Sequence, residues 1–320
     1  MNQVYLAKLS DFLMIFIGIL VESLPFVVIG VLVSAFVGVF IKSSSILKYK
    51  SKNPIVSHIQ SMAIGIFLPV CECGNVPLAK RLLLIGFKPS EVITFMLAAP
   101  IVNPIVWITT AEAFNLDKNI AIIRVLSGAL IALFVGLFFS LQAENSELLV
   151  EGNQVRKINQ FSSFSESVTE VSTISSDQHT GEDTRASSFL SIFRQEFFSV
   201  FKMLLIGCFL AASFQMLIPR SSVLLFGSDP NLSVIALLFL AFIISICSTV
   251  DAFFALALAS SFSLGSIVSF LVFGPMIDIK TLTMLRSVFR TKTLITLTIV
   301  VPLLSAIVGF SVNYFYRFNY

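Results

Sequence analysis

The sequence contains few charged residues, one tryptophan and two histidines. Only 12% of its 320 residues are charged and 56% are hydrophobic. Soluble domains are about one-quarter charged, and a soluble globule of this size could not hide so much apolar surface from water. We therefore predict that lipid surrounds most of the chain. This composition excludes a cytosolic enzyme, a secreted disulfide scaffold and a nucleic-acid-binding domain.

Motifs of the common enzyme classes are also missing. The chain has no P-loop for ATP hydrolysis, no zinc-protease helix motif and no nucleophile elbow of a hydrolase. His58 and His179 lie in polar connections, so a paired-histidine metal site is not expected. The four cysteines, three of them in apolar surroundings, do not resemble a disulfide framework. We predict that the protein is not an enzyme and has no cofactor or resident metal.

Long apolar runs are the main feature that the sequence does have. A helix needs about 20 apolar residues to cross the hydrocarbon core of a bilayer. The long runs are 12–41, 90–112, 119–141, 194–217, 230–247, 264–285 and 293–315. We predict an all-α polytopic membrane protein. Pro25 is the natural kink site in the first run, because proline interrupts helical hydrogen bonding.

A polar segment divides the chain into two membrane repeats. Residues 143–190 are rich in Ser, Glu, Thr, Gln and Asn without apolar periodicity, which is typical of disorder. We predict a first repeat over 1–142, a disordered cytoplasmic linker over 143–190 and a second repeat over 191–320. Each repeat has about five segments. Together they form eight full spans plus two short or re-entrant broken-helix pairs, with up to ten transmembrane helices.

Two shorter apolar segments are interrupted: residues 71–77 separate 55–70 from 78–86, and a similar break lies at 247–251 in the second half. The two breaks share a pattern of polar residues and prolines. In the first half, Cys-x3-Asn is followed by Pro-x2-Asn, and in the second half Cys-x3-Asp is followed by Pro-x2-Asp. The matched residues are Cys71 with Cys247, Asn75 with Asp251, Pro100 with Pro275, and Asn103 with Asp278. Non-helical polar backbone at membrane depth must be buried in protein or line a cavity. The pattern therefore indicates an internal repeat with its breaks inside the protein.

Lysine and arginine predict the orientation of the halves. Loops rich in these residues stay cytoplasmic, and loops 42–53 and 280–292 carry four basic residues each. Their counterparts in the other half, 218–229 and 113–119, carry one each. Equivalent loops therefore fall on opposite sides of the membrane, which is the signature of inverted repeats. Both chain termini are expected outside and the linker inside.

Three carboxylates occur where a membrane protein tolerates few charges. Asp251 and Asp278 lie in apolar runs and Glu22 lies in the middle of the first span. An ionisable residue in a span is a functional candidate by default, so we predict that these residues couple an ion or proton to transport. The alternative is that they lie near helix ends, pair with Lys280 or a backbone donor, and only hold the bundle together.

Three cysteines accompany the same breaks. Cys71 and Cys73 bracket one residue and Cys247 lies at the matching break, so the three thiols could converge if the breaks face each other. Thiolates suit soft metals and metalloids, whereas a free cysteine otherwise behaves as a small buried hydrophobe. Cys208 lies in a plain span, where packing is the expected role.

Prolines complete the predicted site. A proline in a span frees carbonyls and exposes backbone amides, so the half-helix ends beside it can offer partial charges to a substrate; the alternative is a structural kink. Interrupted segments in corresponding positions are the best sequence pointer to a transport site. The predicted substrate-binding residues are Cys71, Cys73, Asn75, Pro100, Asn103, Cys247, Asp251, Pro275 and Asp278.

Four stretches of the chain resemble a known family. Pro69–Ala79 and Phe95–Pro104 resemble the first half, and Cys247–Ala255 and Phe270–Lys280 the second half, of the predicted bacterial permeases that include the organoarsenical efflux permease ArsP. The resemblance covers nearly the whole chain except the linker. It implies a polytopic inner-membrane permease whose characterised relatives export trivalent organoarsenicals, with cysteines suspected of binding arsenic. The residue between those cysteines is usually small, whereas Glu72 stands here.

We therefore predict an inner-membrane permease that exports a small solute, such as a trivalent organoarsenical or another soft metalloid. Alternating access of one repeat against the other would be driven by an ion gradient, since no nucleotide site is present. The expected partners are this substrate and the lipid bilayer, with no nucleic acid. The alternatives are a non-transporting membrane subunit or assembly factor and, less favoured, an intramembrane enzyme with a cysteine nucleophile.

Overall fold

The computed structural model describes residues 2–40, 51, 53–68, 71–114, 118–142, 148–149, 181–217, 229–259 and 261–319. Within these ranges the chain is helical, and its one bridge between extended residues joins Leu149 to Phe289. The helices are α1 (Asn2–Phe40), α2 (Pro54–Phe67), α3 (Glu72–Ile85), α4 (Pro89–Val102), α5 (Pro104–Ala113), α6 (Lys118–Gln142), α7 (Gly181–Leu217), α8 (Pro230–Ile244), α9 (Asp251–Leu258), α10 (Leu264–Phe273), α11 (Ile279–Leu285) and α12 (Thr291–Asn319).

Among the described residues, five stretches of helix are long and apolar enough to cross a bilayer. They are Lys8–Val39, Pro89–Ala113, Asn119–Leu141, Phe189–Met216 and Thr291–Phe315. Their lipid-facing sides carry many of the exposed large hydrophobic side chains, as expected where lipid replaces water. The prediction of an all-α polytopic membrane protein is confirmed. Helix α1 runs through Pro25 without ending.

In the second half, one predicted span ends early and another is divided into two helices. The run 230–247 ends as helix α8 at Ile244, because Ser245 adopts a left-handed conformation with a φ of 53°. The run 264–285 is divided into α10 and α11, since a turn at 274–276 is followed by extended residues before Asp278 caps α11. Broken helices of this kind place backbone polar groups at membrane depth, where protein must satisfy them.

The two halves follow the same helix order. Helices α2, α4 and α6 pack on one another in the first half, as α8, α10 and α12 do in the second, and α1 packs along α7. Helix α7 begins at Gly181, so the last ten residues of the predicted linker, 181–190, are helical, and residues 150–180 lie outside the described residues. The inverted orientation, the repeat boundaries and the linker stay predictions.

A glycine allows α1 to approach the first break closely. A Cβ atom added at Gly30 would lie 2.5 Å from the carbonyl oxygen of Gly74 and 2.6 Å from its Cα. Small residues at helix crossings let backbones approach and gain van der Waals contact, which is the main attraction between helices in lipid. This contact holds the first turn of α3 against α1.

Gly30→Ala is therefore expected to destabilise the fold by about 1–3 kcal/mol, because the new methyl group overlaps backbone that cannot move aside. The thermal midpoint of the purified protein in detergent measures this loss. Gly18→Ala, in the same helix, is the matched control, since a Cβ there meets nothing within 4 Å. It should leave the midpoint unchanged or raise it slightly. Equal midpoints for the two variants would contradict the close approach.

Candidate functional site

The first break lies between α2 and α3. Helix α2 ends at Phe67, and Cys71 caps α3 in an extended conformation, so that Glu72 and Cys73 fall in the first turn. The thiol and carboxylate atoms of Cys71, Glu72 and Cys73 all lie within 4.8 Å of one another, and all three residues are buried. Gly74 and Pro77, which the sequence places in the interruption, lie inside α3, whereas Pro69 lies between the two helices, outside the described residues.

The second break lies between α8 and α9. After Ser245, the chain has no helix until Asp251, whose amide donates to the carbonyl oxygen of Cys247. The Cys247 amide donates to Glu22 Oε1 of α1 over 3.3 Å. The predicted carboxylate of the first span therefore contacts the backbone of the second break, 225 residues away in sequence.

The two breaks meet inside the protein. The Cys247 thiol donates to Glu72 Oε2 over 3.9 Å, and the Cys71 thiol lies within hydrogen-bonding reach of Cys247 and Cys73. The three predicted thiols are thus brought together, with Glu72 among them. A set of three thiols and a carboxylate could bind a soft cation or metalloid, because sulfur ligands favour such ions. The ligand-binding role of these residues stays a prediction.

Lys280 neutralises part of this cluster from the second half. Its ammonium group lies 3.4 Å from Glu72 Oε1, 3.3 Å from Ser23 Oγ and 3.4 Å from the carbonyl oxygen of Ser245. The side chains of Lys280 and Glu72 are 1% and 2% exposed. The sequence places Lys280 in a cytoplasmic loop and offers it as an alternative partner for the buried carboxylates. Its ion pair instead joins the two halves, across 208 residues of sequence.

A second buried ion pair holds the other break. Arg124 of α6 donates to Asp251 Oδ2 over 2.6 Å, to Thr110 Oγ1 over 2.7 Å and to the Ser248 carbonyl oxygen over 3.3 Å. The side chains of Arg124 and Asp251 are 0% and 2% exposed. Each break is therefore held by a basic residue of the opposite half. The sequence analysis identified Asp251 and missed Arg124, which lies in an unbroken span.

The two matched caps occupy equivalent places. Asn103 Oδ1 accepts from the Ile105 amide over 2.9 Å at the start of α5, and Asp278 Oδ1 accepts from the Thr281 amide over 2.5 Å at the start of α11. Pro100 lies inside α4, whereas Pro275 lies in the turn before α11. All four residues are buried. Asn103 and Asp278 therefore cap helices. Substrate binding by these two residues and by Pro100 and Pro275 stays a prediction.

A small cavity opens between the halves beside these groups. Its volume is about 10 Å³, room for about one water-sized particle. The lining residues come from α3, α4, α11, α12 and the connections beside α11: Glu72, Ile93, Met96, Leu97, Met276, Ile277, Thr281, Leu285, Phe289 and Leu297. Asn75 is fully buried, and among the described residues neither polar atom of its side chain has a hydrogen-bond partner.

Two residues lie elsewhere than the sequence analysis expected. His58 is buried in α2, with Nδ1 2.8 Å from Thr94 Oγ1, rather than in a polar connection; His179 lies outside the described residues. The apolar residues that flank His58 explain the difference, because they continue the helix into the protein interior. Cys208 of α7 packs near Cys73, Lys280 and Asp278, which its plain apolar surroundings in sequence did not reveal.

Comparison with known proteins identifies the relatives of this chain. The family model described as "Predicted permease" matches residues 8–314. The UPF0718 protein YcgR of Bacillus subtilis is 35% identical over 278 residues, which is 87% of this chain and 88% of the relative. The "Putative two-component membrane permease complex subunit" of Streptococcus mutans is 30% identical over 280 residues, covering 88% and 87%. No solved structure matches the chain. The resemblance predicted from the motifs is confirmed.

Proposed function

This chain belongs to the predicted permease family, and from that premise we propose that it is a transporter whose solute crosses between its two halves where the breaks meet. One observation carries the proposal: Cys71 and Glu72 of the first break contact Cys247 of the second, with Cys73 beside them and Lys280 paired to Glu72. Polar backbone and ionisable groups buried at the junction of two similar halves are typical of transport sites.

The substrate that we propose is a small soft solute, such as a trivalent organoarsenical or another metalloid. Three converging thiols favour soft ions over hard ones. The remaining proposed substrate contacts are Asn75, Pro100, Asn103, Asp251, Pro275 and Asp278. The unpartnered buried amide of Asn75 supports such a role, because a buried polar group without a partner costs free energy that a bound ligand can recover.

The transport mechanism that we propose is alternating access driven by an ion gradient, with export across the inner (plasma) membrane. Rocking of one half against the other would separate the two cross-half ion pairs, Lys280 with Glu72 and Arg124 with Asp251, which already lie at the breaks. Glu22 contacts the backbone of the second break. We propose that Glu22, Asp251 and Asp278 transmit ion binding to this movement.

A second candidate function is a membrane subunit that does not itself transport solute. The relative in Streptococcus mutans is named as a subunit of a two-component permease complex. Under this alternative, the buried ion pairs would hold the halves in one arrangement. A partner protein would then be needed before any flux is seen.

We expect the chain to raise the concentration of trivalent methylarsenite that a host lacking its own arsenical exporters survives. Cys71→Ser, Cys73→Ser and Cys247→Ser should each lower this protection by about ten-fold or more, since loss of one ligand of a shared site reduces affinity on that scale. Cys208→Ser is the comparison within the same residue type: Cys208 packs near Cys73 but is not one of the clustered residues Cys71, Glu72 and Cys73, so its substitution should lower protection much less. Growth curves at graded methylarsenite concentrations measure the effect.

The same host also tests the alternatives. If all three variants protect as well as the unaltered chain, the cysteines are packing residues and the thiol site is wrong. If the unaltered chain gives no protection, the arsenical substrate is wrong. Purified protein in vesicles then decides between transport and a subunit role. Failure to move any metalloid, metal or organic ion, with or without an ion gradient, contradicts transport.

A further inference from the structure

The thiol cluster where the two breaks meet contains a carboxylate as well as sulfur. The thiol sulfurs of Cys71 and Cys73 and a carboxylate oxygen of Glu72 all lie within 4.8 Å of one another. Cys247 Sγ lies 3.9 Å from Glu72 Oε2 and within hydrogen-bonding reach of the Cys71 thiol. The four residues are at most 4% exposed. Three sulfurs and one carboxylate oxygen therefore lie together inside the protein.

The separations of these four atoms suit a tetrahedral metal ion. Zn²⁺ binds cysteine sulfur at about 2.3 Å and carboxylate oxygen at about 2.0–2.2 Å, usually with four ligands. Neighbouring ligand atoms around such an ion are about 3.5–3.8 Å apart. The largest separation among Cys71, Glu72 and Cys73, at most 4.8 Å, therefore has to shorten by about 1 Å, which side-chain rotation can supply.

The surroundings of Glu72 leave one of its oxygens for an ion. Glu72 Oε1 pairs with Lys280 Nζ over 3.4 Å, whereas Oε2 faces the Cys247 thiol. A partner that fixes a ligating carboxylate strengthens metal binding, and Lys280 also offsets part of the negative charge that three thiolates and a carboxylate place around a divalent ion. Cys247 is fixed in the same way, because its amide donates to Glu22 Oε1 over 3.3 Å.

The carboxylate distinguishes between the solutes that thiols can bind. Trivalent arsenic forms three bonds, and in an organoarsenical at least one of them is already to carbon. At most two thiols can then bind, and the carboxylate has no place around the arsenic atom. A divalent ion such as Zn²⁺ accepts sulfur and carboxylate ligands together, whereas hard ions such as Mg²⁺ prefer oxygen ligands alone.

We propose that Cys71, Glu72, Cys73 and Cys247 form a tetrahedral site for a thiophilic divalent cation of the Zn²⁺ class. The site deepens the proposed function and rests on it for the claim that the ion is the transported solute, whereas binding of the ion does not depend on transport. The first break supplies three ligands and the second supplies Cys247. Separating the breaks would therefore remove one ligand from the ion and weaken its binding.

Titration with Co²⁺ tests the site in the purified full-length chain without any flux. The chain is prepared in detergent with its thiols reduced and without a histidine tag. Tetrahedral thiolate ligands give Co²⁺ an intense absorption spectrum that octahedral oxygen ligands do not. We expect this spectrum to saturate at about one ion per chain. An equal amount of Zn²⁺ should abolish it, since Zn²⁺ binds such ligands more tightly than Co²⁺.

Substitutions in the cluster should change this spectrum residue by residue. At saturating Co²⁺, Cys71→Ser, Cys73→Ser and Cys247→Ser should each lower the thiolate absorption by about one-third, because one of three sulfur ligands is lost. Glu72→Gln should keep the thiolate absorption but weaken Co²⁺ and Zn²⁺ binding by about ten-fold or more. Cys208→Ser retains all four ligands and should match the unaltered chain.

Glu72→Gln leaves Lys280 without its charged partner. If that variant does not fold, Cys247→Ser carries the test from the second half of the chain.

Two results overturn the site. One is a chain that gives only the weak spectrum of oxygen-bound Co²⁺, or a thiolate spectrum that all three cysteine variants leave unchanged. The other is a folded Glu72→Gln variant that binds Zn²⁺ as tightly as the unaltered chain, because the carboxylate is then not a ligand.

Failure of transport is recognised separately from failure of the site. A chain that gives the tetrahedral spectrum but moves no Zn²⁺ in vesicles keeps the metal site and contradicts transport of that ion. A chain that protects its host against methylarsenite but gives no tetrahedral spectrum keeps the proposed transport and contradicts the metal site.

Discussion

Lys280→Met is expected to reduce the yield of folded protein to about a tenth or less. The substitution removes the ammonium group that contacts Glu72, Ser23 and the Ser245 carbonyl oxygen. It leaves Glu72 buried without its basic partner, and breaking a buried ion pair from one side costs about 3–5 kcal/mol. Fluorescence-detected size-exclusion chromatography of the solubilised protein measures the folded fraction.

The double variant Glu72→Gln/Lys280→Met separates a structural role from a functional one. Replacing both partners of a buried pair by neutral groups of similar shape is tolerated far better than replacing one, so at least half of the folded yield should return. If the pair belongs to the transport site, the double variant folds but gives no methylarsenite protection. A double variant that protects fully would show that the pair serves the fold alone.

Arg124→Met is expected to be at least as damaging to the fold. Its guanidinium makes three buried contacts, to Asp251, Thr110 and the Ser248 carbonyl oxygen, and the contact to Asp251 is short and charge-assisted. We expect a loss of about 3–5 kcal/mol because Asp251 is then left buried and unpaired. The thermal midpoint and the folded yield measure this loss. Arg194→Met, at an exposed position of α7, should change neither quantity.

Asp251→Asn should be milder than Arg124→Met, because the asparagine oxygen can still accept from Arg124 while Thr110 and the Ser248 carbonyl keep their contacts. Adding Asp251→Asn to Arg124→Met should recover part of the lost stability, since the unpaired carboxylate is removed. A double variant whose losses simply add would contradict the direct pairing of these two residues across the halves.

Local signals in the sequence were sufficient for much of the fold. Apolar runs predict membrane-spanning helices because lipid offers no hydrogen-bond partners, so the backbone must satisfy its polar groups within the helix. The sequence locates the first break near Pro69, since proline acts on its own segment of chain; Gly74 and Pro77 instead lie inside α3. The match of Asn103 to Asp278 likewise followed from spacing, and both residues are helix caps.

The family was also determined by sequence alone, because its motifs survive as contiguous residues around each break. The partners of the buried charges could not be determined in this way. Lys280 is 208 residues from Glu72 and Arg124 is 127 residues from Asp251, and no local pattern records which distant helix will lie opposite. The sequence analysis placed Lys280 in a loop because it lies at the end of an apolar run beside other basic residues. In the structure Lys280 belongs to the short helix α11, which lies in the protein interior.

Composition and motifs thus determined that the chain is a helical membrane protein and belongs to the predicted permease family. Only the tertiary structure decided that each break is neutralised by a basic residue of the other half, and that Asp278 lies beside an already paired Glu72. The physical reason is the cost of burying charge. Each buried charge is stabilised by a partner on a helix that is distant in sequence. Because the packing of whole helices brings the two residues together, no local pattern in the sequence predicts the pair.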